Sequence, residues 1–188
     1  DLLPVSGVLH ERLSAIVADP RLYGFHGTLK PPMSLVEGAT ERDLLDAAGS
    51  FAAAQRQIDV PALALAELTD FLALVPAGRC AALQDFSDRC VVEFDEFRRP
   101  AGEAELARRR AAGLTQRQED LLLRWGYPYL LEQGRIHLTL TGRVLDPRER
   151  GLVFDELRRR FVAFIDRPLA VRDLCVFRQP APGRPFTV

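Results

Sequence analysis

Two short patterns, each occurring twice and in the same order, constrain this 188-residue chain more than anything else in it. His26-Gly27-Thr28-Leu29 returns as His137-Leu138-Thr139-Leu140 after 111 residues, and Ile58-Asp59-Val60-Pro61 returns as Ile165-Asp166-Arg167-Pro168 after 107. Near-equal offsets repeat a whole structural unit rather than a word, so related segments must bury their apolar faces in related ways. The periodicities agree, since each copy reads strand, helix, strand, strand. The expected fold class is therefore α+β: two pseudosymmetric lobes with mainly antiparallel sheets, helices outside and an active-site cleft between the lobes. The first lobe takes in about residues 1–78, a helical segment about 79–130, and the second lobe about 131–188, all one domain.

Local signals fill in the elements. Leu9, Leu13, Ile16 and Val17 form one helical stripe over residues 7–18, ended by Asp19-Pro20. Residues 24–30 alternate as a strand, cut off by Pro31-Pro32, which removes two ladder donors. Thr40 with Asp43 opens a helix running to about Gln55, and strands follow at 62–68 and 71–75. Leu83, Phe86, Cys90, Val91 and Phe94 mark a helix over 79–97; a polar helical stretch, 103–124, is split at Gly113 and restarted by the capping box Thr115-x-x-Gln118. The clearest strand spans 135–144. Asp146-Pro147-x-Glu149 then starts a helix to about Phe164, with Leu152, Val153, Leu157, Phe161 and Phe164 on its apolar side, before strands at 169–177 and 186–188.

Composition excludes several classes. With 47% hydrophobic residues the chain buries a sizeable core, and a formal net charge of -1 supplies no field for gathering polyanions. Extended nucleic acid and membrane surfaces are not expected partners. Cys80, Cys90 and Cys175 form no C-x-x-C pair and read as reduced thiols of a cytoplasmic protein; no apolar run approaches a membrane span. The sequence starts at Asp1 without a secretory signal or an initiator Met, from which a missing N-terminal segment is expected. The Ala-, Leu- and Arg-rich composition fits a bacterial, GC-rich coding bias.

The repeated H-x-T carries the chemistry. Along a strand alternate side chains share a face, about 6.6 Å apart, so His26 lies with Thr28 and Lys30, and Arg135 with His137, Thr139 and Thr141. Two imidazoles and two hydroxyls brought together suit a metal-free phosphoester reaction. One neutral imidazole takes a proton from the attacking group while the other, protonated, supplies one to the leaving oxygen. Threonine hydroxyls and a cation stabilise the non-bridging oxygens. His26, His137, Thr28 and Thr139 are the candidate catalytic residues, with Lys30, Arg135, Tyr23, Thr141 and Tyr127 as substrate contacts and neither metal nor cofactor required. Lys30 is singled out because the other 24 of the 25 basic residues are arginines. For Trp125, Tyr127 and Tyr129 the alternative is a turn packed on the core, and the 108–110 and 158–160 arginine runs read as solvated helix faces.

These motifs resemble the 2H phosphoesterase superfamily, defined by two H-x-[ST]-x motifs on pseudosymmetric lobes. The stretches Arg21-Leu22-Tyr23-Gly24-Phe25-His26-Gly27-Thr28-Leu29-Lys30-Pro31-Pro32 and Trp125-Gly126-Tyr127-Pro128-Tyr129 through His137-Leu138-Thr139-Leu140-Thr141-Gly142 are most similar to a branch associated with phosphonate-utilisation (carbon-phosphorus lyase) operons. The resemblance implies a metal-independent phosphodiesterase, His137 serving as base toward water and His26 as acid, the two interchangeable by pseudosymmetry. The operon association implies a small cyclic phosphate, such as a cyclic sugar phosphate. The alternatives are an RNA 2',3'-cyclic phosphodiesterase or 2'-5' ligase-like enzyme, and a non-catalytic module that binds phosphate esters.

Overall fold

The computed structural model describes residues 4–188. In chain order the elements are α1 (His10–Ile16), α2 (Pro20–Tyr23), α3 (Glu41–Ala53), β1 (Ile58–Val60), β2 (Leu63–Leu68) and β3 (Phe71–Pro76). They continue with α4 (Ala81–Glu93), α5 (Glu103–Arg110), α6 (Gln116–Trp125), β4 (Leu138–Thr139), α7 (Pro147–Arg160) and β5 (Leu169–Val171). The fold mixes helices with open antiparallel sheets. The chain forms two compact units, one from residues 4–27, 57–80 and 137–188, the other from 28–56 and 81–136.

In the first unit β2 and β3 form a hairpin from Leu63 opposite Pro76 to Leu68 opposite Phe71. β4 pairs with β3, Ala73 opposite Thr139 and Leu74 opposite Leu138, and a single antiparallel bridge joins Gly27 to Leu138. The second sheet pairs β1 with β5, and Leu63 bridges Ile165 of the repeated Ile-Asp-x-Pro segment. The division into units thus does not run along the repeat, because segments of the two copies pair strand to strand. Val5, Leu13, Ile16, Leu72, Val144 and Val153 make one buried cluster, with Val8, Val17, Phe154 and Leu157 packed against it. Leu9 departs from its expected stripe: it precedes α1 in an extended conformation and is 79% exposed.

The strand expected over 135–144 shrinks to two residues for a local reason. The Leu72 carbonyl accepts from both Leu140 N–H (2.9 Å) and Thr141 N–H (3.2 Å), so two residues oppose one in a β-bulge. Thr141 Oγ1 in turn accepts from Leu72 N–H at 2.9 Å. The chain then leaves the ladder: Gly142 N–H donates to Ile16 O at 2.6 Å, an approach in which a Cβ would lie 3.0 Å from that oxygen. Residues 24–30 likewise contribute one bridge instead of a strand, since α2 ends on Gly24 at φ 69° and Pro31-Pro32 follows. α7 starts as its cap dictates, with Asp146 accepting from Arg148 N–H and Pro147 in the first turn, yet it ends at Arg160, short of Phe164. The last two expected strands contract to β5 and an Arg178–Thr187 bridge.

The second unit is mostly helical. Thr40 with Asp43 and Thr115 with Gln118 form complete capping boxes at the starts of α3 and α6. Leu83, Phe86, Cys90 and Val91 of α4 are buried, and Phe51 of α3 stacks on Phe86 (5.8 Å) and meets Phe94 edge-on (5.3 Å). The helix expected over 79–97 is α4 followed by a 3-10 turn, Phe94–Phe97. Gly113, at φ 75°, separates α5 from α6.

Candidate functional site

Residues 26, 137 and 139 come together in the first unit. The antiparallel bridge between Gly27 and Leu138 lays the first H-x-T segment alongside the second, with His26 and Thr139 each one residue from the bridged pair. His137, two residues before Thr139, shares the face of Thr139, as do Phe71, Ala73 and Val75 of β3. His26, His137 and Thr139 are all half-buried.

Each imidazole is held by neighbours. His26 Nδ1 lies 3.2 Å from the Gly24 carbonyl, and its ring is met edge-on by Tyr23 (centroids 5.4 Å, 83°) and at a tilt by Phe177 (5.0 Å, 36°). His137 lies 5.5 Å from the Phe71 ring. Burial, and then the Asp19 charge, push the Tyr23 hydroxyl above its ordinary range, so it stays a protonated donor at neutral pH. Phe177, Phe71 and the Gly24 carbonyl carry no mark in the sequence that ties them to an imidazole. Phe177 lies 151 positions from His26, and only long-range pairing brings it near.

The remaining expected contacts are placed as follows. Thr28 and Arg135 belong to the second unit, both exposed. Lys30 is committed to packing: its ammonium donates to Val91 O (2.8 Å), in the last turn of α4, and to Asp95 (3.2 Å), with its side chain 10% exposed. A cation there offsets the negative end of the helix. Burial pulls its pKa down further than Asp95 raises it. Thr141 is 2% exposed, turned off the polar face by the bulge and bonded to Leu72 N–H. Tyr127 lies in the second unit with the Arg109 guanidinium 4.7 Å from its ring centroid, and Arg124 lies over the Trp125 ring at 4.2 Å. Among the described residues no group of three or more His, Cys, Asp or Glu is arranged to hold a metal ion, and no helix is long and apolar enough to cross a membrane.

No solved structure matches the chain. It is 41% identical over 186 residues to ribose 1,5-bisphosphate phosphokinase PhnN of Janthinobacterium sp. (strain Marseille), covering 97% of this chain and 41% of that protein. It is 30% identical over 170 residues to the protein of the same name from Laribacter hongkongensis (strain HLHK9), covering 90% and 39%. The chain therefore spans about two fifths of the length of these relatives. These names correct the expected function. A phosphokinase moves a phosphoryl group to an acceptor, whereas the sequence motifs pointed to opening of a cyclic diester, on a small sugar phosphate or on RNA. Matched over residues 28–187, the chain belongs to the family described as protein of unknown function (DUF1045).

Proposed function

We propose that this chain handles a phosphorylated ribose within a phosphoryl-transfer enzyme of phosphonate utilisation, with His26, His137 and Thr139 at the sugar phosphate. The observation that carries this reading is the bridge between Gly27 and Leu138, which lays the two H-x-T segments side by side and supports a site in which two imidazoles and a hydroxyl act together. A sugar bisphosphate presents many non-bridging oxygens, and each needs a donor. Thr139 Oγ1 supplies one, and an imidazolium supplies another together with its charge. A neutral imidazole takes the proton from an acceptor phosphate that still carries one, its second pKa being about 6, and so leaves the dianion as the attacking group.

The substrate class comes from the names of the relatives. The division of labour comes from the sequence. No G-x-x-x-x-G-K-[ST] loop occurs in these 188 residues, whose one lysine stands in Leu29-Lys30-Pro31, so the reading assigns the acceptor sugar, and not the nucleotide, to this chain. The unmatched three fifths of the relatives then holds the phosphoryl donor. The resemblance to the 2H superfamily is kept as a proposed kinship of motifs, without its hydrolytic chemistry.

Calorimetric titration of the 188-residue protein with ribose 1,5-bisphosphate tests this. Saturable binding is expected, weakened about tenfold or more by His26→Ala, His137→Ala and Thr139→Val, each hydrogen bond to a charged group being worth roughly 1.5–3 kcal/mol. Undetectable binding, or equal affinity in all three first-unit variants, overturns the proposal.

A further inference from the structure

We infer that Gly24 and Phe177 are positioning residues that hold His26 as its Nδ1–H tautomer and present Nε2 as the working nitrogen. The inference rests on the proposed site only for its effect on binding. A neutral imidazole carries one N–H, and a carbonyl oxygen accepts only, so the 3.2 Å contact to Gly24 O is a hydrogen bond only when Nδ1 bears the proton. The lone pair then sits on Nε2. Histidine in water favours the opposite tautomer, so the protein has to impose this one.

Three features impose it. The direction of the Gly24 carbonyl follows from φ 69° and ψ -173°, a backbone conformation that L-residues rarely adopt, while its N–H is tied to Pro20 O at 3.0 Å. A Cβ at Gly24 would meet nothing within 4 Å, so glycine serves the backbone angle there and not the space. The ring itself packs against both Tyr23 and Phe177, which restricts its rotation. Phe177 is fixed by the end of the chain: Arg178 and Thr187 exchange N–H···O bonds of 2.8 and 2.9 Å, and Phe186 N–H donates to Leu22 O of α2 at 2.6 Å. The C-terminal segment is thereby fastened to the helix that carries Tyr23. Once protonated, such an imidazole keeps its Nδ1–H on Gly24 and has Nε2–H as the donor. Proton acceptance and donation both pass through one nitrogen held in one place.

Long-range 1H–15N correlation spectra of 15N-histidine-labelled protein, recorded at alkaline pH where the imidazoles are neutral, read the tautomer directly, with the His26 signals identified by their loss in His26→Ala. The expected spectrum shows a protonated Nδ1 and a bare Nε2 for His26. Phe177→Leu, whose circular dichroism should match the parent, is expected to mix the two tautomers and to weaken ribose 1,5-bisphosphate binding about tenfold, as loss of orientation does. Gly24→Ala should shift the tautomer in the same direction. An Nε2–H tautomer in the unmodified protein, or an unchanged tautomer in both variants, overturns the inference. If the sugar phosphate fails to bind while the Nδ1–H tautomer is present and sensitive to Phe177, the proposed substrate is wrong and the positioning stands.

Discussion

Thr141→Val separates a structural threonine from a substrate-binding one. Thr141 Oγ1 is the 2.9 Å acceptor for the amide of Leu72, a residue with no exposed surface, and Thr141 itself is 2% exposed. Valine keeps the shape and removes the acceptor, leaving a buried N–H unmatched at about 1–3 kcal/mol. The methyl group that replaces the hydroxyl adds about 0.8 kcal/mol of apolar burial, which offsets part of that loss. The net destabilisation is about 1–2 kcal/mol, a fall in Tm of about 2–8 °C for a chain of this size. Scanning calorimetry measures it, and hydrogen exchange should show the Leu72 amide losing protection. Affinity for ribose 1,5-bisphosphate should stay within twofold, because the bulge turns residue 141 away from the face that carries His137 and Thr139. A variant as stable as the parent, or one that binds the sugar phosphate much more weakly at unchanged stability, would refute the reasoning.

Lys30→Met keeps the buried stem but removes the donor to Val91 O and Asp95; because Arg98 still bonds Asp95, urea titration should show a loss of about 1–3 kcal/mol, with sugar-phosphate affinity unchanged. Burial pushes the Asp95 carboxyl up, but its Arg98 hydrogen bond and the charges of Lys30 and Arg98 outweigh that and hold it below its ordinary 3.8. In that window the unfolded chain binds more protons than the folded one, so the contribution is complete above 3.8 and lost as pH falls through the folded value. Urea midpoints of Asp95→Asn should accordingly fall less steeply on acidification than those of the parent, and parallel curves would count against it. Thr115→Ala removes the acceptor for Gln118 N–H at the start of α6, and should cost about 1 kcal/mol, with faster amide exchange in the first turn of that helix.

Helices were legible where the chain states its own boundaries. Both capping boxes, the Asp146-Pro147 start and the Gly113 break lie within three or four residues of the backbone they control, so they act whatever the rest of the fold does. Strands were legible over their whole length only where their partner was local, as in the β2–β3 hairpin, whereas β4 and β5, with distant partners, are short pieces of the stretches expected. The alternation over 135–144 is a correct reading of polarity and a wrong reading of pairing. The bulge at Leu140 and Thr141 is decided by Leu72, nearly seventy residues away, and the exit at Gly142 by Ile16, farther still. Likewise the repeat was visible as words, but not the fact that its copies pair with each other, since register between distant strands depends on which edges the finished sheets leave open.

The candidate site divides along the same line. His26, His137 and Thr139 stand out because a repeated motif marks its residues independently of geometry, and the Gly27–Leu138 bridge lays the two motif segments side by side. Lys30 was singled out by rarity, and rarity measures how unusual a residue is, not what needs it. A buried carbonyl at the end of α4 needs a cation on a long apolar stem as much as a phosphate does, and Val91 O with Asp95 holds the Lys30 ammonium with its side chain 10% exposed. Phe177 and the Gly24 carbonyl show the converse. They touch the imidazole, yet one is an ordinary apolar residue and the other a backbone oxygen, neither of which differs in sequence from dozens of its kind. In the proposed site the motif therefore supplies the proton-transferring groups, while the groups that touch and orient one of them, the Gly24 carbonyl and Phe177, are brought there by the closing of the chain end onto α2.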